Sequence, residues 1–153
     1  MNTTPYIIEQ ANTNDIETIA RFQVAMAFET EQLNLDTETV RQGVSRIFDE
    51  PSLGFYIVAR DPTVTTVANL LILKEWSDWR NTEVWWIHSL YVSPGHRKCG
   101  VFRKMLAHVE SLARTRGAAG IRLYVEKANT GAQKAYQNLG MSNRHYELFE
   151  KMF

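Results

Sequence analysis

Apolar positions change their spacing several times along the chain, and each change marks an element. Tyr6-Ile7-Ile8-Glu9-Gln10 reads as a first strand. Thr13-Asn14-Asp15 offers a capping Thr or Asn and an acid for a first helical turn. Ile16, Ile19, Ala20 and Gln23 follow at helical spacing, and the helix runs to about Glu31, before the break at Asn34-Leu35-Asp36. Asp36-Thr37-Glu38-Thr39 opens a second helix with Val40, Val44, Ile47 and Phe48 on one side. After the turn Pro51-Ser52-Leu53-Gly54, the β-branched and aromatic run from Phe55 to Arg60 predicts a strand. Asp61-Pro62-Thr63 connects it tightly to another, Thr66 to Leu73, as an antiparallel hairpin. Lys74 to Asn81 reads as a polar loop carrying two tryptophans, and Val84 to Val92 as the longest, central strand.

The clearest helix is Gly100 to Arg116, where Val101, Phe102, Met105, Leu106, Val109, Leu112 and Ala113 make a continuous apolar stripe, with Gly117 as the C-cap. Ile121 to Val125 is a strand. Asn129-Thr130 introduces a short helix with Ala132, Ala135, Tyr136 and Leu139 on one face, closed by Gly140, and Tyr146 to Phe153 reads as a last strand. The order β-α-α-β-β-β-α-β-α-β predicts an α/β fold. A parallel pair with a right-handed crossover sits inside an otherwise antiparallel mixed sheet.

One junction, Ser89 to Arg103, carries candidate chemistry. A strand ends at Ser93-Pro94-Gly95, a basic segment follows (His96, Arg97, Lys98), and a helix opens at Gly100 with Arg103 in its first turn. The first N–H groups of a helix have no internal partner and its dipole favours negative charge there. The junction is either a phosphate or pyrophosphate cradle or a surface loop with solvated charges.

Bulk properties sharpen this. Lys+Arg and Asp+Glu number 17 each, so no global field attracts nucleic acid or an acidic membrane, and any basic site is local. At 153 residues the chain is expected to form one domain spanning 1–153. A single cysteine excludes an internal disulfide and fits a reducing compartment. Met1 to Pro5 lack the basic and apolar blocks of a signal peptide, and no apolar run approaches a bilayer span, so a cytoplasmic protein is expected. His88, His96, His108 and His145 show no ligand spacing and no second cysteine joins Cys99, so no metal is expected.

Two motifs at this point resemble the GNAT superfamily of acetyl-CoA-dependent N-acetyltransferases. Arg97-Lys98-Cys99-Gly100-Val101-Phe102 is similar to that family's Arg/Gln-x-x-Gly-x-Gly/Ala pyrophosphate loop. Asn129-x-x-Ala132-x-x-x-Tyr136-x-x-x-Gly140 is similar to its Asn-and-Tyr segment beyond the next strand. Glu29-Thr30-Glu31, Glu75-Trp76-Ser77-Asp78-Trp79-Arg80 and Trp85-Trp86-Ile87 resemble a bacterial subgroup. Phe102 departs from the small residue usual in the loop. Turned toward the core it leaves its backbone N–H available; turned outward it obstructs the cofactor.

The resemblance implies that the pyrophosphate of acetyl-CoA rests on backbone N–H groups of Lys98, Cys99, Gly100, Val101, Phe102 and Arg103, with charge from Arg97 and Arg103. It implies a central strand parted from its parallel neighbour near a β-bulge, with main-chain groups of Leu90 and Val92 meeting the pantetheine arm. The Leu90 N–H would polarise the thioester carbonyl. Tyr136 maps onto the general acid, and Asn129 either bonds the cofactor arm or caps the helix. The Glu many members use as base is replaced here by Trp86. Strand alternation puts Trp86, His88 and Leu90 on one face, which makes His88 a candidate base. Glu29, Glu31, Glu75 and Asp78 are the other candidates. Trp76, Trp79, Trp85 and Trp86, with Glu29, Glu31, Glu75 and Asp78 around them, would suit a cationic amine. Cys99, just before the helix and beside cations, would be open to oxidation.

The implied function is transfer of an acetyl group from acetyl-CoA to a primary amine, on a small molecule or a protein or peptide, in a ternary complex. The alternative is a non-catalytic acyl-CoA-binding module of the same fold. A third class, another phosphate-ligand enzyme on an α/β sheet, explains the cradle and leaves the Asn-Tyr segment unexplained. A homodimer through Tyr146, Phe149 and Phe153 is a further expectation.

Overall fold

A computed structural model describes residues 5–153, so the signal-peptide reading of Met1 to Pro5 lies outside the described residues but for Pro5. The chain divides into two units, one through Arg122 and one from Leu123 to Phe153. In the first, β1 (Ile7–Gln10), β2 (Gly54–Arg60), β3 (Thr66–Ser77), β4 (Thr82–Val92) and β5 (Ile121–Arg122) form a sheet in sequence order. The first three pairings are antiparallel and β4–β5 is parallel. Around it lie α1 (Ile16–Glu31), α2 (Thr37–Asp49) and α3 (Val101–Thr115). The second unit holds α4 (Thr130–Asn138). The expected α/β fold with a mainly antiparallel sheet and a parallel pair is the observed one.

Each face of the sheet is covered by a helical stripe. Ile19 and Ala20 of α1 and Val44 of α2 pack with Tyr56, Val58 and Leu71. α3 serves the other face and buries Val101, Met105, Leu106 and Val109. Each such side chain withdrawn from water contributes about 1.5–3 kcal/mol. Its last turn ends in a Schellman arrangement: the Ala118 N–H reaches the Ala113 carbonyl, and Gly117 takes φ +78. The Arg116 guanidinium lies 5.0 Å from the Phe55 ring and 5.9 Å from that of Trp85, fixing Trp85 as core on this side. Between β2 and β3 the backbones approach closely: a Cβ at Gly54 would meet the Ile72 carbonyl oxygen at 1.9 Å.

The observed bounds correct several expectations. The 74–81 segment is not a loop. Lys74↔Trp85, Glu75↔Val84, Trp76↔Glu83 and Ser77↔Thr82 are strand pairs, and only residues 78–81 turn, with Asn81 at φ +52. Asn12 caps a 3-10 turn over Thr13–Asp15, in a capping box with Asp15, and that turn leads into the first helix. β5 stops at Arg122 rather than Val125. Tyr146 to Phe153 forms no strand. Leu148-Phe149 and Met152-Phe153 are adjacent apolar pairs, so the segment lacks the period-2 alternation that would put its apolar groups on one face, and Phe149 and Phe153 are fully exposed.

A buried ion pair ties the first turn to the sheet. Asp15, 3% exposed, accepts from both terminal nitrogens of Arg60 at 2.9 and 3.0 Å, from the Thr66 hydroxyl and from the Asn12 N–H. Burial pushes the Asp15 carboxyl up, but these donors together hold it below its ordinary 3.8. A depressed carboxyl stabilises the fold above the unfolded-state value and loses that contribution as pH falls through the folded-state value. The stability gap between wild type and Asp15→Asn is therefore expected to be constant above about pH 5 and to close below 3.8. Denaturant midpoints against pH measure it; a gap that persists in acid would show that the charge is not what Arg60 needs.

Candidate active site

The centre of β4 is irregular. Its register with β3 is even from Ser77↔Thr82 to Leu71↔His88, and the next pairs place Asn69 opposite Tyr91. Two residues of β3 thus span three of β4, a bulge. Ser89 adopts φ +52, a left-handed conformation uncommon for a residue with a side chain. The bulge corrects the alternation expected from sequence. Leu73, Leu71 and Asn69 share one face of β3, so their partners Trp86, His88 and Tyr91 share a face of β4; Tyr91, and not Leu90, takes the third place. Tyr91 meets Phe22 of α1 with ring centroids 5.0 Å apart, which identifies this as the α1–α2 face. β5 pairs with β4 only at Trp85 and Trp86. Leu90 and Val92 lie on the stretch of β4 beyond that last parallel pair.

Past Val92, a single 3-10 turn (Pro94–His96) leads through Arg97 to α3. Lys98 and Gly100 take left-handed backbone, φ +61 and +77, and Gly100 is the N-cap. The Gly100 carbonyl accepts from the Lys104 N–H. The N–H groups of Val101, Phe102 and Arg103 therefore fall in the first turn, where the helix offers no carbonyl. A Cβ on Gly100 would touch nothing within 4 Å, so the space before the helix is open. Lys98, Cys99 and Arg103 are exposed, Val101 is buried, and Phe102 is half-buried. The Cys99 thiol points back to the Arg97 carbonyl at 3.3 Å.

Arg97 is oriented by the sheet and by α1. Its Nε donates to the Val92 carbonyl at 2.8 Å, its Nη2 to Glu29 Oε2 at 2.6 Å, and its guanidinium lies 5.4 Å from the Tyr91 ring centroid. The Tyr91 hydroxyl donates to the other oxygen of Glu29 at 3.0 Å. The Arg97 hydrogen bond, aided by that hydroxyl and opposed by desolvation, holds Glu29 below its ordinary 4.5, so it is ionised at neutral pH.

A second cluster lies on the α1–α2 face. Glu75 Oε2 accepts from the Trp86 indole N–H at 3.0 Å and from Arg122 at 2.9 Å. Half-buried His88 lies 6.0 Å from Trp86, ring to ring, and desolvation lowers its pKa from 6.5. Trp76 alternates with Glu75 and so lies on the opposite face, 63% exposed. Trp79 is exposed on the turn, as is Asp78, whose carboxylate accepts from the Trp79 N–H; Glu31 is exposed at the end of α1.

In the second unit, Asn129 caps α4: its Oδ1 accepts from the Ala132 N–H at 3.1 Å, the capping option of the two open from sequence. Gln133 donates to the carbonyls of Glu126 and Lys127 and fastens the preceding turn. Tyr136 is half-buried, and burial raises its phenol above 10.0, so it is protonated at neutral pH.

Residues 16–141 match the model of the Acetyltransferase (GNAT) family. The chain belongs to that family. Among solved GNAT-like structures, the possible acetyltransferase from Clostridium difficile 630 is 33% identical, with a TM-score of 0.89 and 97% of each chain covered. A predicted acetyltransferase with acetyl-CoA from Clostridium acetobutylicum shares the fold at 16% identity, with a TM-score of 0.78 and 96% of each chain covered. A streptothricin acetyltransferase from Streptomyces lavendulae is 38% identical over 56 residues, 37% of this chain; the match spans 30% of that relative's length.

This GNAT chain gathers some of the singled-out residues and separates others. Arg97 and Glu29 form one ion pair and Glu75 with Arg122 another, so neither carboxylate is a bare base. Trp86 and His88 share a face with Glu75, and Trp76 does not join them. Among the described residues no group of three His, Cys, Asp or Glu side chains could hold a metal, and no helix is long and apolar enough to cross a membrane. Sequence reasoning missed Tyr91 and Arg122, which orient Glu29 and Glu75, and the buried pair Gln23 and Asn69. Asn69 and Gln23 each had a local signal: a lone amide within the apolar run Val67 to Ile72, and an amide in the helical series with Ile16, Ile19 and Ala20.

Proposed function

We propose that this chain transfers the acetyl group of acetyl-CoA to a primary amine by direct attack in a ternary complex. The observation that carries the reading is the stretch of β4 beyond its last pair with β5, leading straight to an open helix start with two left-handed residues and exposed cations. These residues fit the group. Backbone N–H groups from Lys98 through Cys99, Gly100, Val101 and Phe102 to Arg103 would hold the pyrophosphate, with charge from Arg97, Lys98 and Arg103. Main-chain groups of Leu90 and Val92 would hold the pantetheine arm. When bound, acetyl-CoA supplies an acyl group activated as a thioester.

The chain's own residues have three tasks. The Leu90 N–H donates to the carbonyl oxygen where negative charge grows. Tyr136, held protonated, gives its proton to the departing sulfur. His88, its pKa depressed by burial, is neutral at pH 7 and able to accept the proton the amine must lose. Glu75 and Trp86, joined by Glu29, Glu31 and Asp78, give the acceptor side an acidic and aromatic character suited to a cation, with Trp76 on the opposite face left out. Similarity to a streptothricin acetyltransferase supports a small-molecule acceptor. We further propose that 1–153 acts as one acetyltransferase domain in the cytoplasm. A second reading, a non-catalytic acyl-CoA-binding module, draws support from Trp86 standing at the usual base position while Glu75 is tied to Arg122.

Calorimetric titration with acetyl-CoA, CoA and ATP tests the cradle, and CoA release with a panel of amines tests turnover. Micromolar binding of acetyl-CoA, much tighter than ATP, with release by at least one amine is expected. Equal binding of ATP would overturn the cofactor assignment, and tight acetyl-CoA binding with no release by any amine would favour the binding module.

A further inference from the structure

Every residue from Val67 to Ile72 of β3 is buried, and Asn69 among them is fully so. A side-chain amide at such a place is unfavourable unless both its ends are bonded. Both are. Asn69 Nδ2 donates to the carbonyl of Ser89, the left-handed residue of the β4 bulge, at 2.9 Å. Asn69 Oδ1 accepts from Gln23 Nε2 of α1 at 3.4 Å, and Gln23 is itself buried at 8% exposure. A carbonyl only accepts, so the contact with Ser89 fixes the NH2 end of Asn69 toward the bulge and turns its oxygen toward α1. The Ser89 carbonyl thereby selects the orientation of Asn69, and Gln23 satisfies the oxygen that is left.

The bonded carbonyl belongs to the peptide unit Ser89–Leu90. That unit is planar and trans, so its C=O and the Leu90 N–H are opposite ends of one rigid plate. Anchoring the oxygen sets the direction of the N–H. The bulge needs such an anchor for two reasons. Three residues of β4 against two of β3 break the regular ladder at this point. Ser89 also holds a conformation that its Cβ disfavours, which persists only when the surroundings enforce it.

We propose that Asn69, its oxygen satisfied by Gln23, is a positioning residue for acyl transfer: by bonding the Ser89 carbonyl it aims the Leu90 N–H at the thioester oxygen. This rests on the functional reading given above. Asn69 touches neither substrate nor reacting atoms and acts through one peptide plane.

The test uses Asn69→Leu, which keeps the bulk and removes the donor, together with Ser89→Gly and the double variant. Glycine takes the left-handed conformation without steric cost, so it sustains the bulge unaided. Asn69→Leu is expected to lower kcat about tenfold, a fraction of the cost of deleting an oxyanion donor, to leave CoA affinity within about twofold, and to shift the Leu90 amide resonance with about tenfold faster hydrogen exchange. The double variant should return to within about twofold of Ser89→Gly alone in kcat and restore the Leu90 exchange rate, while its melting temperature stays lowered. Should Asn69→Leu not fold, Gln23→Leu keeps the Asn69 donor and leaves its buried oxygen without that bond, with an expected loss of about threefold in kcat. Wild-type kcat and an unmoved Leu90 amide in Asn69→Leu would overturn the proposal. So would a loss that Ser89→Gly does not relieve, which marks a general packing defect. If wild type is inert toward every amine, the functional reading fails, and the Leu90 amide still decides whether Asn69 holds this peptide.

Discussion

Tyr136→Phe is expected to lower kcat about a hundredfold and to leave acetyl-CoA affinity within about twofold. The substitution removes one oxygen and keeps the ring, so the half-buried packing of Tyr136 on α4 is retained. What is lost is a proton. Desolvation raises the phenol above 10.0, and the group therefore carries its proton over the whole neutral range. An acid of this kind gives no descending limb in a pH–rate profile until the pH exceeds 10, so the wild-type rate should rise through a value below 6.5, as His88 loses its proton, and then hold level. The defect should also shrink with acyl donors whose thiol is more acidic, because a stable leaving thiolate needs no proton. Single-turnover rates with both donors check this. Equal rates for wild type and variant would remove Tyr136 from the chemistry, and an equal defect with both donors would assign it to positioning instead.

The parts of the fold that were legible in the sequence are those where one face is buried by a regular repeat. Val101, Met105, Leu106 and Val109 recur at helical spacing, and all four are buried on α3. The cap at Asn129 and the helix start at Gly100 were equally legible, because both depend on residues within one turn of each other. Tyr146 to Phe153 misled because its composition is aromatic while its order lacks alternation, and composition alone does not set a face. A bulge was implied by the resemblance, but its position was illegible for a different reason. Bulges that need a left-handed residue usually announce it with glycine, and here Ser89 fills that place, held by an amide twenty residues away in sequence. A strict period of two then put Leu90 where Tyr91 stands. The orientation of Arg97 was hidden likewise: its partner Glu29 lies 68 positions earlier and meets it only once α1 packs beside β4. Local motifs thus indicated which loop could hold an anion, and long-range side-chain contacts decided which charged groups on it were already engaged.

Gly100→Val is expected to weaken acetyl-CoA binding about a hundredfold while kcat at saturating donor stays within about twofold. Gly100 stands at φ +77, and a β-branched side chain there is strained by upward of about 1–2 kcal/mol. Nothing lies within 4 Å of the new Cβ, so relief comes from rotating the backbone rather than from pushing a neighbour. That rotation swings the N–H groups of Val101, Phe102 and Arg103 away from a common point. Hydrogen bonds to a charged group contribute about 1.5–3 kcal/mol each, and losing two at the lower end of that range corresponds to about a hundredfold in affinity. Gly100→Asn separates conformation from bulk: asparagine tolerates left-handed backbone, so it should weaken binding tenfold less than valine does. On the proposed reading the loop would meet the pyrophosphate and not the thioester, which is why the loss should appear in affinity and KM, the reverse of the Tyr136→Phe pattern. Calorimetric affinities for the two Gly100 variants measure this. Wild-type affinity in Gly100→Val would move the pyrophosphate away from the start of α3, and equal losses for valine and asparagine would assign the effect to bulk in the open space before the helix.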